Sequence, residues 1–188
     1  MSEAEQRFSL RLATSADIPA LRELIDVSVR VLQRADYSAE QLDAALGTAY
    51  GVDTQLIADG TYYVVEAVGS AGERVIAACG GWSTRKTLYG SDHGPYRDSG
   101  LLDPARDAAK IRAFFVHPEW VRRGIATLIL KTCEDAAYAQ GFRRFEMGAT
   151  LTGIPMYAAR GYMVGEKLEV PLPNGLSLTV VRMAKTVL

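Results

Sequence analysis

One stretch near the middle of the chain limits its folding more than any other. Ile111 to Val116 is an apolar run with strand composition, and it stops at the turn dipeptide His117-Pro118. Glu119-Trp120-Val121-Arg122-Arg123-Gly124 follows, and helical spacing sets in directly after it through Ile125, Leu128, Ile129, Thr132, Cys133 and Ala136. The pattern predicts a strand that feeds the open N-terminus of a helix running from Arg122 to Gln140 and ended by Gly141. The first N–H groups of a helix lack internal partners, and the helix dipole favours negative charge there. Gly124 permits close backbone approach, and Arg122 and Arg123 add charged donors. The segment is suited to a phosphate or pyrophosphate. The alternative is a plain strand–turn–helix joint with a solvated basic end.

The remaining elements follow from periodicity. Phe8 to Ala13 alternates as a strand, and Ile18, Leu21, Leu24, Ile25, Val29 and Leu32 keep helical spacing. Ser38-Ala39-Glu40-Gln41 is a capping box ahead of a second helix through Leu42, Ala45 and Leu46. Thr61–Val68 and Arg74–Trp82 read as a hairpin around Gly69-Ser70-Ala71-Gly72. Arg85–Ala108 reads as a long polar loop, and a loop of that length in a compact domain is often functional. Its Tyr89, His93, Tyr96 and Arg97 either line a pocket or cover the domain edge. Lys110–Val116 and Arg143–Ala149 are strands, Ile154–Arg160 is a short helix, and Tyr162–Val170 and Leu176–Ala184 form the last two strands. The order is β-α-α-β-β-β-α-β-α-β-β, an α/β domain with a mostly antiparallel mixed sheet. Its one parallel crossover joins strands four and five through the third helix. One domain spans 8–188, after a short polar segment at 1–7.

Composition narrows the function. The chain has 188 residues, a formal net charge of −1 and 48% hydrophobic content, ordinary for a globular protein and without the basic field of a nucleic-acid binder. The first residues lack the apolar centre of a signal peptide, and no apolar run reaches membrane-helix length. A cytoplasmic location without membrane contact is expected. The only histidines are His93 and His117, so a metal-ligand cluster is not supported, and the two cysteines, Cys79 and Cys133, are expected as buried free thiols. Gly-x-Gly-x-x-Gly after an early strand, Gly-x-x-x-x-Gly-Lys and Gly-x-Ser-x-Gly are all missing, which argues against dinucleotide, P-loop and serine-hydrolase chemistry.

The segment around Gly124 and Ala126 resembles the acyl-CoA-binding motif of the GCN5-related N-acetyltransferases, Gln/Arg-x-x-Gly-x-Gly/Ala after a strand ending in Val-x-Pro. Val121 stands where the motif has Gln or Arg. Ala149–Tyr162 is similar to a second signature of the family, in which a short helix carries a tyrosine followed four positions later by Gly and an aromatic residue. Tyr157, Gly161 and Tyr162 fill those places. The element order also matches the family's single-domain fold along almost the entire chain. The resemblance implies an N-acetyltransferase that moves an acetyl group from acetyl-CoA to a primary amine of a small molecule or peptide, directly and in a ternary complex, without a metal. It implies pyrophosphate on the N–H groups of Arg122, Arg123, Gly124, Ile125 and Ala126, with Thr127 adding a hydroxyl. Pantetheine would lie along the backbone of Phe115 and Val116, where strands four and five splay.

The same resemblance makes Tyr157 the acid that protonates the departing CoA thiolate. Many members carry a glutamate early in strand four as general base. Lys110 occupies that place here, with Arg112 on the same strand face. These two cations either favour an acceptor bearing a carboxylate or phosphate, or are solvated at the start of the strand. Glu146 is the acidic candidate on strand five, and Glu66 is another on the hairpin. A non-catalytic acyl-CoA-binding module is the competing reading, and exposed strand edges make a homodimer plausible.

Overall fold

The computed structural model describes residues 8–188; the polar segment at 1–7 lies outside them. Seven strands form one sheet in the order β1-β2-β3-β4-β5-β7-β6. They are β1 (Phe8–Leu12), β2 (Tyr62–Val68), β3 (Arg74–Ser83), β4 (Ala109–Val116), β5 (Arg144–Thr150), β6 (Met163–Pro171) and β7 (Ser177–Thr186). All pairings are antiparallel except β4 with β5. The helices are α1 (Ile18–Leu32), α2 (Ala39–Ala45), α3 (Thr54–Ala58), α4 (Ile125–Ala139) and α5 (Ile154–Ala158). The α/β class, the strand order along the chain and the single parallel crossover agree with the sequence reading. The predicted capping box is present, with Ser38 Oγ accepting from Gln41 N–H and the Gln41 side chain returning to Ser38 N–H.

The sheet is covered on both faces. Ile125, Ile129, Leu130, Cys133 and Ala137 of α4 pack on one face with Trp82, Ile111, Phe145 and Met183. Leu21, Leu24, Ile25 and Val29 of α1 pack on the other with Leu42, Leu56, Tyr62 and Phe115. Cys79 and Cys133 are buried and free. Several details depart from expectation. Leu128, predicted on the buried face of α4, is exposed, and Leu130 is buried instead. The helix starts at Ile125 rather than Arg122, because Arg122 and Gly124 both take positive φ, 61° and 78°. α3 went unrecognised; Asp53 makes it, capping the N–H groups of Gln55 and Leu56.

Strand β4 changes face along its length. Ala109 and Ile111 point to the α4 side and Lys110 and Arg112 to the α1 side. Ala113 then adopts φ 56°, and the pairing with β3 skips from Arg112↔Gly81 to Phe115↔Cys79. This is a β-bulge, and the extra residue inverts the alternation. Beyond it Phe114 and Val116 pack on the α4 side and Phe115 on the α1 side. Tyr62 Oη donates to Ala113 O at 3.1 Å and fastens the bulge. Gly80 leaves room for the redirected Phe114 ring, since a Cβ there would lie 2.7 Å from Phe114 Cδ2. β4 and β5 pair only at Ala109↔Phe145 and Lys110↔Glu146. Past those two pairs they diverge and leave an open wedge.

The segment between β3 and β4 is more ordered than a plain loop. Arg85 and Leu101 form an antiparallel bridge, and Lys86 and Thr87 N–H donate to Gly100 and Asp98 carbonyls. A buried charge cluster ties this excursion to the sheet. Asp53, with 0% side-chain exposure, pairs with Arg112 at 2.8 Å and with Arg97 at 3.3 Å. Arg112 also donates to Gly90 O, and Arg97 to Ser91 O. Lys110 pairs with Glu146, which also holds Arg182 at 2.9 Å. Both β4 cations are therefore buried and paired rather than solvated, although Arg112 borders the cavity at this wedge with its Nε unpartnered among the described residues. Removing one partner of a buried pair strands the other charge without compensation. Asp53→Ala is expected to lower unfolding free energy by about 3 to 5 kcal/mol, read by urea denaturation. A loss below about 1 kcal/mol, the range of a surface pair, would show that the cluster does not anchor the fold.

Candidate active site

The wedge between β4 and β5 opens into a cavity of about 1030 Å³. Ile111–Val116 form one wall, Met147–Thr150 the opposite wall, and α5 the side. One mouth lies at the start of α4. Trp120 ends a single 3-10 turn that His117 caps through Nδ1, and Val121 leads into the doubly left-handed Arg122 and Gly124. Among the described residues, none accepts a backbone hydrogen bond from residues 122–127. The first helical bond is Leu128 N–H to Gly124 O at 3.0 Å. Alternating backbone conformations of this kind aim successive N–H groups at one point, a nest for an anion. A Cβ on Gly124 would meet nothing within 4 Å, so the space above it is open. Arg123 stacks over Trp120 at 4.6 Å and donates to Glu119 O. Arg160 Nε donates to Thr127 Oγ1 at 3.2 Å and brings another cation to this mouth.

The middle of the cavity holds Tyr157. Its ring makes edge contacts with Phe114 at 6.2 Å and Tyr162 at 6.0 Å. The bulge thus sets the tyrosine's position, because it is what turns Phe114 toward α5. Burial raises the Tyr157 hydroxyl well above the usual phenol range, so it stays protonated. Tyr162 is packed rather than available, its hydroxyl donating to Glu134 at 2.9 Å.

The far end lies between α1, the residues after α2, the β3–β4 excursion and the β6–β7 hairpin. Ser28, Leu32, Gln33, Tyr50 and Tyr89 reach it. Of the four excursion residues singled out from the sequence, Tyr89 lines the cavity. Arg97 is spent on Asp53, Tyr96 is exposed, and His93 faces a separate small hollow beside α1.

The predicted residues Phe115, Val116, Arg122, Gly124, Ile125, Ala126, Thr127 and Tyr157 all border this one cavity. Arg123 flanks it through Trp120. Glu146 does not border it; both carboxylate oxygens engage cations, Lys110 and Arg182. Glu66, the other acid considered, lies on the far side of the sheet from β5 and pairs with Arg11 and Arg74. Asp53 and the far-end residues Gln33 and Tyr50 were missed. Nothing local marks them, since Gln33 ends an amphipathic helix and Tyr50 sits in a turn, and only packing brings them to one cavity.

Among solved structures, a GCN5-related N-acetyltransferase from Rhodopseudomonas palustris aligns over 95% of both chains at 22% identity and TM-score 0.69. The PaiA N-acetyltransferase from Thermoplasma acidophilum, in complex with coenzyme A, covers 99% of both chains at 11% identity and TM-score 0.63. YncA from Salmonella typhimurium, with its cofactor acetyl-CoA, covers 96% of this chain and 94% of its own at 17% identity and TM-score 0.60. At these identities the likeness is one of fold. Comparison with curated protein sequences gave no match. Residues 27–162, well over half of the chain, match the Acetyltransferase (GNAT) family, and the protein is a member of that family.

Proposed function

We propose that this chain transfers an acetyl group from acetyl-CoA to a primary amine by direct attack in a ternary complex. The observation that carries the reading is the continuity of one cavity, from the unpaired N–H groups before α4, through the β4–β5 wedge, to Tyr157. The pyrophosphate rests on the N–H groups of Arg122 to Ala126, with Thr127 and Arg160 at its edge. Pantetheine lies in the wedge and pairs with the β4 backbone at Phe115 and Val116, as an added strand would. This places the thioester beside the bulge, where strand N–H groups no longer bonded to β5 stabilise the carbonyl oxygen as it becomes an oxyanion.

The amine attacks the carbonyl carbon, a C–N bond forms, and the C–S bond breaks. Tyr157 donates its proton to the departing sulfur and recovers one from the attacking nitrogen. A phenol held above its usual pKa range keeps that proton in reserve at every pH the enzyme meets. Glu146, the sequence-based candidate for the base, serves in this reading as counter-charge for Lys110 and Arg182.

Two variants test this. Tyr157→Phe keeps the ring contacts and removes the proton, so kcat is expected to fall by about 10²-fold or more with little change in acetyl-CoA affinity. An unchanged kcat would remove Tyr157 from the mechanism. Gly124→Glu sets a carboxylate into the open space over the nest at a φ that disfavours side chains. The variant is expected to fold and to lose the thermal shift that acetyl-CoA gives the parent protein. A retained shift would move the anion site elsewhere. A parent protein that binds acetyl-CoA yet releases no thiol with any amine would favour a binding module instead.

A further inference from the structure

Among the described residues, the titratable side chains that line the cavity are tyrosines and arginines alone: Tyr50, Tyr89, Tyr157, Arg112, Arg122 and Arg160. No carboxylate or imidazole of a described residue borders it. Burial moves Tyr50, Tyr89 and Tyr157 upward, away from neutrality. Burial draws the Arg112 guanidinium down, but Asp53 holds it charged. Of the acids behind the wall, Asp53 is committed to Arg112 and Arg97 and Glu146 to Lys110 and Arg182, while Asp36, outside the lining, accepts from Thr152 Oγ1 at 2.5 Å. Nothing in the wall takes up a proton at neutral pH, and nothing there offers an ammonium ion a free counter-charge.

The proton count of the reaction gives this a consequence. When a neutral amine is acetylated, the proton that leaves nitrogen equals the proton that arrives on sulfur. Tyr157 relays it and no base is required. A protonated amine carries one proton more, which must be removed before attack, and burying its charge in an uncompensated site is costly. The far end of the cavity is also apolar, walled by Leu32, Tyr89, Phe115, Val170, Leu178 and Val180. Among the described residues, three lining side chains keep a buried polar atom without a hydrogen-bond partner, Gln33 Oε1, Tyr50 Oη and Arg112 Nε. The neighbouring Tyr37 hydroxyl donates to Thr179 O and accepts from Leu151 N–H, both at 2.8 Å, and keeps a second lone pair for Tyr50. Arg112 is held by Asp53, and the Gln33 carboxamide oxygen is left to call for an N–H or O–H donor; the lack of a lining counter-charge is what favours an uncharged one.

We propose that the acceptor is an apolar, weakly basic amine, of which arylamines are the simplest class, with its uncharged nitrogen between Gln33 and the thioester. The proposal rests on the acetyltransferase reading above. The experiment compares thiol release from acetyl-CoA with aniline, benzylamine, spermidine, lysine and glutamate as acceptors, after acetyl-CoA binding has been established by thermal shift. Aniline is expected to exceed benzylamine in kcat/KM at neutral pH by about tenfold or more, with a flat profile between about pH 6 and about pH 9. The benzylamine profile should rise about tenfold per pH unit and break at that amine's own pKa. Gln33→Glu supplies the missing carboxylate and should shift the benzylamine-to-aniline ratio upward by about tenfold.

Preference for spermidine, lysine or glutamate would overturn the proposal. So would an inflection that stays fixed when the amine is changed, which would reveal a base on the enzyme. Failure of aniline to react while acetyl-CoA binds, or an unchanged ratio in Gln33→Glu, would overturn it as well. Failure of acetyl-CoA to bind is a different result, one that removes the acetyltransferase reading itself.

Discussion

The bulge at Ala113 is the constraint on which the rest of the site depends. One extra residue in β4 inverts its alternation, so a strand that begins with cations on the α1 face ends with Phe115 there. It redirects Phe114 across the space left by Gly80 and against Tyr157. It lies three residues beyond Lys110, the last β4 residue paired with β5. The left-handed conformation at a non-glycine residue costs of the order of 1 kcal/mol, and the Tyr62 hydroxyl and the surrounding packing offset it.

The charges around β4 do structural work. Lys110 and Arg112 sit where a strand meets two long connections, and each is matched by a carboxylate delivered from another element. Buried pairs of this kind add little net stability compared with apolar packing, but they penalise any arrangement that leaves one member alone. Asp53 is the clearest case. It caps α3, neutralises Arg112 and holds Arg97, so a single carboxylate fixes where the β3–β4 excursion crosses the far end of the cavity. The same pairing removes these groups from acid–base chemistry, and the cavity wall is left to tyrosines, arginines and apolar side chains.

Periodicity located the strands and the two long helices because burial on one face of each element leaves a repeat of about 3.6 or 2 in the chain. It failed where other forces set the outcome. The start of α4 moved to Ile125 because positive φ at Arg122 and Gly124 interrupts the helix before it begins. Leu128 and Leu130 exchanged roles because the covered stripe depends on how α4 crosses the sheet. α3 is too short for periodicity to register and depends on a cap that is also an ion-pair partner. The excursion between β3 and β4 reads as polar loop because its ladder of carbonyl and N–H contacts leaves no side-chain signature.

The sequence by itself determined the element order, the basic, glycine-containing turn before α4 and the tyrosine on α5, since each is local: a run, a turn and a spacing within some twenty residues. Tertiary structure decided what these features face. It placed Tyr157 against Phe114 through a bulge that composition does not announce. It turned Lys110 and Arg112 from candidate substrate contacts into buried partners of Glu146 and Asp53, residues 36 and 59 positions away along the chain. It gathered Gln33, Tyr50 and Tyr89 from three separate segments into one wall. Pairing and shielding of charge depend on distance in space, which the linear order of residues does not contain.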